Sequence, residues 1–232
     1  MLVDPRLDHH LQKQIVFTLM KAEVVPFSAL KPAGVESNLF MYHLRRLIAQ
    51  DMVAKVDGGY RLTELGKTYV DRASLTSLTL RLQPKMITIL AVQDDKGRWL
   101  LLERLHQPFL HYVGFPSGKL HYGEDLTEAA HRELKEKTGV VGAQLQLRGN
   151  IFMRFVAREE PTRTVNHICG YVFSGQLPRK ARDGFTTDNF RSFWDETERL
   201  FAPDSFKGNR EVLELLETDQ LTVRSYVFES DF

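Results

Sequence analysis

The chain of 232 residues lacks several features that would each assign it to a distinct class of protein. Cys169 is its one cysteine, so an intramolecular disulfide is excluded, and its apolar surroundings predict a buried small residue. No run approaches the roughly eighteen apolar residues that a membrane-spanning helix needs, so no membrane partner is expected. No basic-then-apolar secretory leader opens the sequence, and we therefore expect a cytoplasmic location.

An excess of charge of one sign is also lacking. The net charge is +1, which favours neither a nonspecific nucleic-acid binder nor an acidic scaffold. With 43% hydrophobic residues the chain can bury a full core, and its length exceeds one domain of about 150 residues by a small module. Glycine-rich linkers, proline-rich linkers and internal repeats are absent from the sequence. We predict two domains, at residues 1–75 and 84–232.

The most informative pattern runs from residue 118 to residue 140. Gly118 is followed after five residues by Glu124, and after seven more by Arg-Glu-Leu-Lys-Glu-Lys-Thr-Gly-Val. Helix formers dominate residues 126–138 and a glycine follows them, which predicts a helix. On that helix Glu133, Glu136 and Lys137 are three or four positions apart, so they share one face.

Carboxylates on one helix face suit hard divalent cations. Mg²⁺ or Mn²⁺ held there can bridge diphosphate oxygens and orient an attacking water. The alternative is an amphipathic surface helix whose glutamates and lysines are merely solvated.

The whole pattern resembles the Nudix box: Gly, five residues, Glu, seven residues, then Arg-Glu-apolar-any-Glu-Glu-any-Gly-apolar. Every fixed position agrees except Lys137, where the family usually has a metal-binding glutamate. The resemblance implies that Glu133 and Glu136 are metal ligands for Mg²⁺ or Mn²⁺, and that Glu124 and Arg132 form an ion pair. It further implies that the catalytic residues are Glu124, Arg132, Glu133 and Glu136. Two more positions, Gly118 and Lys137, would lie beside the substrate phosphates.

Lys137 changes the charge of the expected site by two units, and charges about 4 Å apart interact by several kcal/mol at intermediate dielectric. Its side chain either pairs with Glu133 and fills the metal position with a positive charge, or extends into solvent. In the first arrangement the fold survives and catalysis falters. A carboxylate outside the box often assists in this family, and the candidates here are Glu159, Glu160, Asp183, Asp188, Asp195 and Glu196.

The context of the pattern agrees with the resemblance. Residues 86–92 and 98–104 flank a turn and predict a hairpin, while residues 145–157 and 164–177 are strand-like. Residues 205–218 have helical spacing, and residues 178–189 predict an exposed loop. The order resembles the Nudix α/β/α sandwich, an α/β (α+β) fold with a mixed sheet between helices.

The first 75 residues have their own pattern. Apolar spacing predicts helices at 11–21, 27–31 and 37–50, followed by a hairpin at 52–63 around Asp57-Gly58-Gly59. The third helix is predicted to be capped by Ser37 and to bury four residues, Phe40, Leu44, Leu47 and Ile48. Three helices and a hairpin in this order resemble the winged helix-turn-helix domain of bacterial transcription regulators.

That second resemblance implies double-stranded DNA as a partner, with the third helix in the major groove. The predicted DNA-binding residues are exposed or basic: Ser37, Asn38, Tyr42, Arg45, Arg46 and Arg61. Residues 1–80 hold ten Lys/Arg against eight Asp/Glu, which is not a strongly basic footprint. Winged helices also serve in dimerisation and docking, so a homodimer or another protein is the alternative.

Two functions therefore follow from the sequence. The one we favour from the sequence is a metal-dependent Nudix-type hydrolase of a nucleoside diphosphate linked to another moiety, because the box is nearly intact. The other is a catalytically weak or inactive transcription regulator that senses a nucleotide-like ligand, which Lys137 and the N-terminal module favour. The loops that choose the base or sugar carry no recognisable signature.

Overall fold

A computed structural model describes residues 7–177 and 184–230 of the chain. The chain divides into two compact units, Met1–Leu82 and Gln83–Phe232. Each unit has its own hydrophobic core.

The N-terminal unit begins with three helices, α1 (His10–Leu19), α2 (Phe27–Leu30) and α3 (Ser37–Ala49). Helix α3 buries Phe40, Leu44 and Leu47 completely, because residues three or four apart share one face. Two details of the prediction were wrong. Ile48 remains 37% exposed, and Ser37 is the first helical residue rather than the cap. Glu36 occupies the cap position and makes no side-chain cap bond.

A two-stranded hairpin and a fourth helix complete this unit. Strands β1 (Val53–Val56) and β2 (Gly59–Leu62) pair antiparallel, as expected for the glycine turn between them. Helix α4 (Glu64–Arg72) follows, and the sequence analysis did not predict it. Its start had a readable signal, since the Thr63 hydroxyl accepts a hydrogen bond of 3.0 Å from the Gly66 N–H.

The C-terminal unit is built on a mixed sheet. Its strands in the described residues are β3 (Lys85–Gln93), β4 (Trp99–Arg104), β5 (Val113–Gly114), β6 (Ser117–Lys119), β7 (Gln144–Val156), β8 (Thr164–Gln176), β9 (Gly184–Thr186), β10 (Phe190–Asp195) and β11 (Thr222–Glu229). The main strand order is β11-β7-β8-β3-β4-β10-β9, with β5 on β4 and β6 on β3. The pairs β3/β8 and β7/β11 are parallel, and the other pairs are antiparallel.

Helices cover both faces of this sheet. Successive side chains of a strand point to opposite faces, so β3 contributes to two cores. Ile89 and Ala91 pack with residues of α6 (Asn209–Leu216), whereas Leu90 and Val92 pack with residues of α5 (Leu126–Thr138). A 3₁₀ helix (Thr197–Phe201) joins the α6 side. The unit is therefore the expected α/β/α sandwich.

Several predicted elements differ in extent from the observed ones. Strands β3 and β4 meet only at Gln93 and Trp99, because β3 takes β8 and β6 as its main partners. The predicted helix at 205–218 is shorter, since the left-handed Gly208 (φ +102) precedes its first turn. Of the predicted loop at 178–189, residues 178–183 lie outside the described residues, while 184–186 form β9. In the described chain, no helix is both long and apolar enough to cross a membrane.

Candidate functional site

Helix α5 carries most of the side chains predicted to form the site, and its ends are fixed by local sequence. The Asp125 carboxylate accepts hydrogen bonds from the backbone N–H groups of Thr127 (2.8 Å) and Glu128 (3.3 Å). At the other end Gly139 adopts a left-handed conformation with φ +70, which glycine does at little steric cost. The helix thus spans the residues that its sequence predicts.

Glu124 and Arg132 form a bidentate ion pair that ties the preceding loop to α5. The Arg132 Nε donates to Glu124 Oε1 at 2.6 Å, and a terminal nitrogen donates to Oε2 at 2.8 Å. The same nitrogen donates to the Lys119 carbonyl at 3.1 Å. The hydrogen bonds from Arg132 lower the pKa of Glu124 to about 2, and the Glu124 carboxylate in turn raises the pKa of Arg132.

Glu133 is a buried carboxylate packed against a glycine. Only 5% of the residue is exposed, and its Oε1 accepts a hydrogen bond of 2.9 Å from Arg132. Gly118, on β6, leaves the space that this carboxylate occupies. A Cβ added at Gly118 would lie 1.8 Å from the Glu133 carboxyl carbon, so no larger residue fits without displacing it.

Lys137 adopts the first of the two arrangements that the sequence leaves open. Its Nζ lies 3.0 Å from Glu133 Oε2 and donates a hydrogen bond to the Ser117 carbonyl oxygen. The same ammonium is 5.0 Å from the centre of the Phe190 ring, within range of a cation–π contact. The side chain is only 16% exposed, so its position is enclosed rather than solvated.

Glu136 is the most open of the charged side chains on this face, with 57% of its side chain exposed. Its Oε2 accepts a hydrogen bond of 3.2 Å from Arg132. Arg132 therefore contacts the carboxylates of Glu124, Glu133 and Glu136 together, and Lys137 neutralises the remaining oxygen of Glu133.

These residues line a cavity of about 670 Å³ within the C-terminal unit. Basic side chains outnumber acidic ones among the described residues that line it. The basic ones are Lys85, Arg104, Lys119, Arg132, Lys137 and Lys207, and the acidic ones are Glu133 and Glu136. Five phenylalanine side chains also line the cavity: Phe109, Phe115, Phe155, Phe190 and Phe206. The cavity thus offers positive charge for an anion and flat apolar surface for a ring.

Arg104 is a cavity residue that the sequence analysis did not single out. It ends β4, its Nε donates to the His106 carbonyl at 3.3 Å, and burial lowers its pKa. No carboxylate of the described residues lies within ion-pair distance of it. The only signal in the sequence was an arginine at the end of an apolar strand, which nothing in the spacing distinguishes from a solvated residue.

The predicted assisting carboxylates do not join the site. None of the five that fall in the described part of the chain lines the cavity: Glu159, Glu160, Asp188, Asp195 and Glu196. The sixth, Asp183, lies outside the described residues.

In the N-terminal unit the predicted DNA-binding side chains are on the surface. Ser37, Asn38, Tyr42 and Arg45 are exposed on α3, and Arg61 is exposed on β2. Arg46 is also exposed and lies 3.7 Å from Asp8, which reduces its free positive charge.

A NUDIX domain model matches residues 83–216 of the chain. Because this match covers more than half of the sequence and includes the fold and the box described above, the chain belongs to the Nudix family. Residues 83–216 are accordingly a Nudix domain. A search of curated proteins found no match.

Solved structures of Nudix proteins resemble the same part of the chain. The mutator MutT protein from Bacillus halodurans has 19% identity and a TM-score of 0.51, covering 64% of this chain and 92% of its own. The NUDIX domain of Shewanella oneidensis NrtR, solved with ADP ribose, has 17% identity and a TM-score of 0.49, covering 67% and 97%. At these identities the likeness to the Bacillus protein supports the fold alone.

Nudix hydrolases generally use divalent metal ions, and the arranged side chains do not fit one. In the described ranges no group of three or more His, Cys, Asp or Glu side chains is placed to hold a metal ion. Both oxygens of Glu133 face cations, Arg132 and Lys137, and Glu136 faces Arg132. Glu133, the buried carboxylate among them, is therefore already paired with a basic side chain at each of its oxygens.

Proposed function

We propose that the C-terminal unit binds a nucleoside diphosphate linked to another group and hydrolyses it slowly or not at all. Binding of this ligand then regulates DNA binding by the N-terminal unit. One observation carries the proposal of weak turnover. The Lys137 ammonium lies 3.0 Å from Glu133 Oε2 and binds the Ser117 carbonyl, where a catalytic metal would need these oxygens.

The charge and the aromatic lining of the cavity support a nucleoside diphosphate as the ligand. Its excess of basic side chains suits the negative charge of a diphosphate, and charge-assisted hydrogen bonds to phosphate are strong. Arg104 has no carboxylate partner in the described residues and is available to an anionic group of the ligand. The phenylalanines, among them Phe109 and Phe206, offer stacking surface for a base.

For the N-terminal unit we propose a winged helix-turn-helix domain that binds double-stranded DNA. Helix α3 buries Phe40, Leu44 and Leu47 and exposes Asn38 and Arg45, as a helix lying in the major groove requires. The hairpin β1–β2 follows α3 in the place of a wing.

DNA binding is tested by selecting from random duplexes and measuring affinity against salt concentration. We expect one sequence to be enriched and its affinity to fall as salt rises, because lysine and arginine contacts to phosphate release counterions. Arg45→Ala should weaken binding, whereas Lys21→Ala, which removes an exposed cation outside α3, should not. Selection that enriches no sequence would favour a docking or dimerisation role.

The second candidate is a metal-dependent hydrolase that uses Mg²⁺ or Mn²⁺. The bidentate Glu124–Arg132 pair, the glycine at 118 and the glutamates at 133 and 136 favour it, because these parts of the box are intact.

One turnover assay separates the two candidates. Nucleoside diphosphate sugars, dinucleotides and nucleoside triphosphates are incubated with the protein and either ion, and product is compared with a Glu133→Gln variant. We expect the wild-type protein to bind one of these compounds but to release little more product than Glu133→Gln does. Rapid release of a nucleotide that Glu133→Gln abolishes would instead establish the hydrolase.

A further inference from the structure

The Lys137 ammonium occupies a place built from oxygen atoms that hard cations prefer. It lies 3.0 Å from Glu133 Oε2 and donates to the carbonyl oxygen of Ser117. Carboxylate and carbonyl oxygens are the usual protein ligands of Mg²⁺ and Mn²⁺. The Glu133 carboxylate is held still, because it is buried and packed against Gly118. A cation attached to the helix itself therefore fills a rigid oxygen site.

The Glu133 carboxylate is paired without a metal, since Arg132 faces one of its oxygens and Lys137 the other. Arg132 also pairs with Glu124 and Glu136, so the cluster holds three carboxylates and two cations. A divalent cation at this place would find each carboxylate oxygen of Glu133 already beside a cationic side chain, and the neighbouring ammonium would repel it.

The ammonium still has a donor to offer. A lysine carries three N–H donors, whereas the Lys137 ammonium donates one hydrogen bond, to the Ser117 carbonyl, and lies at ion-pair distance from Glu133 Oε2. Lys137 also lines the cavity, so its ammonium is placed to donate to an oxygen of a molecule bound there.

We propose that Lys137 takes the place of a divalent cation, so that a diphosphate group binds in this cavity without metal and accepts a hydrogen bond from the Lys137 ammonium. The inference rests on the proposed function, since it presumes a diphosphate ligand. It makes ligand binding independent of the concentration of free Mg²⁺ or Mn²⁺.

The first experiment titrates the full chain with Mn²⁺ alone by calorimetry. The wild-type protein should show no saturable Mn²⁺ binding at Glu133, so its titration should match that of Glu133→Gln. Lys137→Glu should gain a site, because it frees Glu133 Oε2 and adds a third carboxylate. Lys135→Glu is the matched control, since this exposed lysine on the same helix undergoes the same change of charge and should gain nothing. Wild-type Mn²⁺ binding that depends on Glu133 would overturn the proposal.

The second experiment titrates inorganic pyrophosphate in the presence of EDTA. Wild type should bind it, and Lys137→Met should bind roughly 10- to 100-fold more weakly, the worth of a charged hydrogen bond. Lys135→Met should match wild type, and Lys137→Arg should retain most of the affinity. Circular dichroism identifies any variant that fails to fold. If Lys137→Met fails to fold, the pyrophosphate affinity of Lys137→Arg and the Mn²⁺ titration still test the proposal.

The two experiments separate failure of this inference from failure of the proposed function. If pyrophosphate binds only when Mn²⁺ is added, metal-free binding is wrong. If it binds Lys137→Met as tightly as wild type in EDTA, the hydrogen bond from Lys137 is wrong. In both cases diphosphate binding by the cavity stands. If neither pyrophosphate nor any diphosphate compound binds with or without metal, both proposals fall.

Discussion

Replacing Gly118 by alanine should destabilise the C-terminal unit through a single steric clash. The new Cβ would lie 1.8 Å from the carboxyl carbon and from Oε2 of Glu133, whereas such contacts essentially never fall below 3.0 Å. The carboxylate must therefore move by more than an ångström. It is buried and held by Arg132 and Lys137, so the movement also weakens both ion pairs.

The magnitude follows from these two effects. Overpacking a tight site costs about 1–3 kcal/mol, and a lost hydrogen bond to a charged group costs about 1.5–3 kcal/mol. Arg132 and Lys137 keep 21% and 16% exposure, so solvent compensates part of the second term. We expect a loss of about 2–4 kcal/mol, which lowers the Tm of a domain of this size by about 4–16 °C.

Tryptophan fluorescence is the suitable assay, because both tryptophans of the chain, Trp99 and Trp194, lie in the C-terminal unit. Gly123→Ala is the control: its φ is +82 and no atom lies within 4 Å of the added Cβ, so it introduces only backbone strain of about 1 kcal/mol. In a Glu133→Ala background the clash is absent, so the double variant should lose less stability than the sum of the losses in Gly118→Ala and Glu133→Ala. Wild-type stability of Gly118→Ala, or fully additive costs, would refute the reasoning.

Four further outcomes are expected. The pKa of Glu124 is lowered to about 2 by Arg132, so the stability from this pair is present above about pH 4.5 and lost as the pH falls toward 2. Glu124→Gln should flatten the unfolding free energy over that range in urea titrations. Gly139→Ala, at φ +70, should cost about 1 kcal/mol in the same titrations. Phe40→Ala should cost the N-terminal unit about 3–5 kcal/mol, seen as an earlier loss of far-ultraviolet circular dichroism. Arg104→Met should weaken pyrophosphate binding about tenfold in calorimetry without lowering the Tm.

The parts of the fold that sequence predicts are those whose signals are local. Helix α5 was predicted with its observed limits because helix formers fill residues 126–138 and Gly139 terminates them, and the structure adds the Asp125 cap at its start. The long strands β7 and β8 were predicted within a residue at each end, since their apolar patterning is sustained. Helix α4 and the strands β9 to β11 were missed, because they are short or have weak patterning.

In the candidate site, too, contacts within one helix were predicted from the sequence, whereas contacts between distant parts of the chain were not. Spacing alone places Glu133 and Lys137 on one face, and their ion pair was one of two arrangements expected. The Ser117 carbonyl and the Phe190 ring, which complete the surroundings of Lys137, come from β6 and β10. Contacts between residues so far apart in sequence depend on strand order, which periodicity does not encode.

Crystals of the protein grown with Mn²⁺ would show whether Lys137 stands where a metal ion would otherwise bind, since anomalous diffraction locates manganese. We expect no anomalous peak between Glu133 Oε2 and the Ser117 carbonyl oxygen, and density for the Lys137 ammonium at that place. A manganese peak coordinated by Glu133, with Lys137 turned away into solvent, would contradict this expectation.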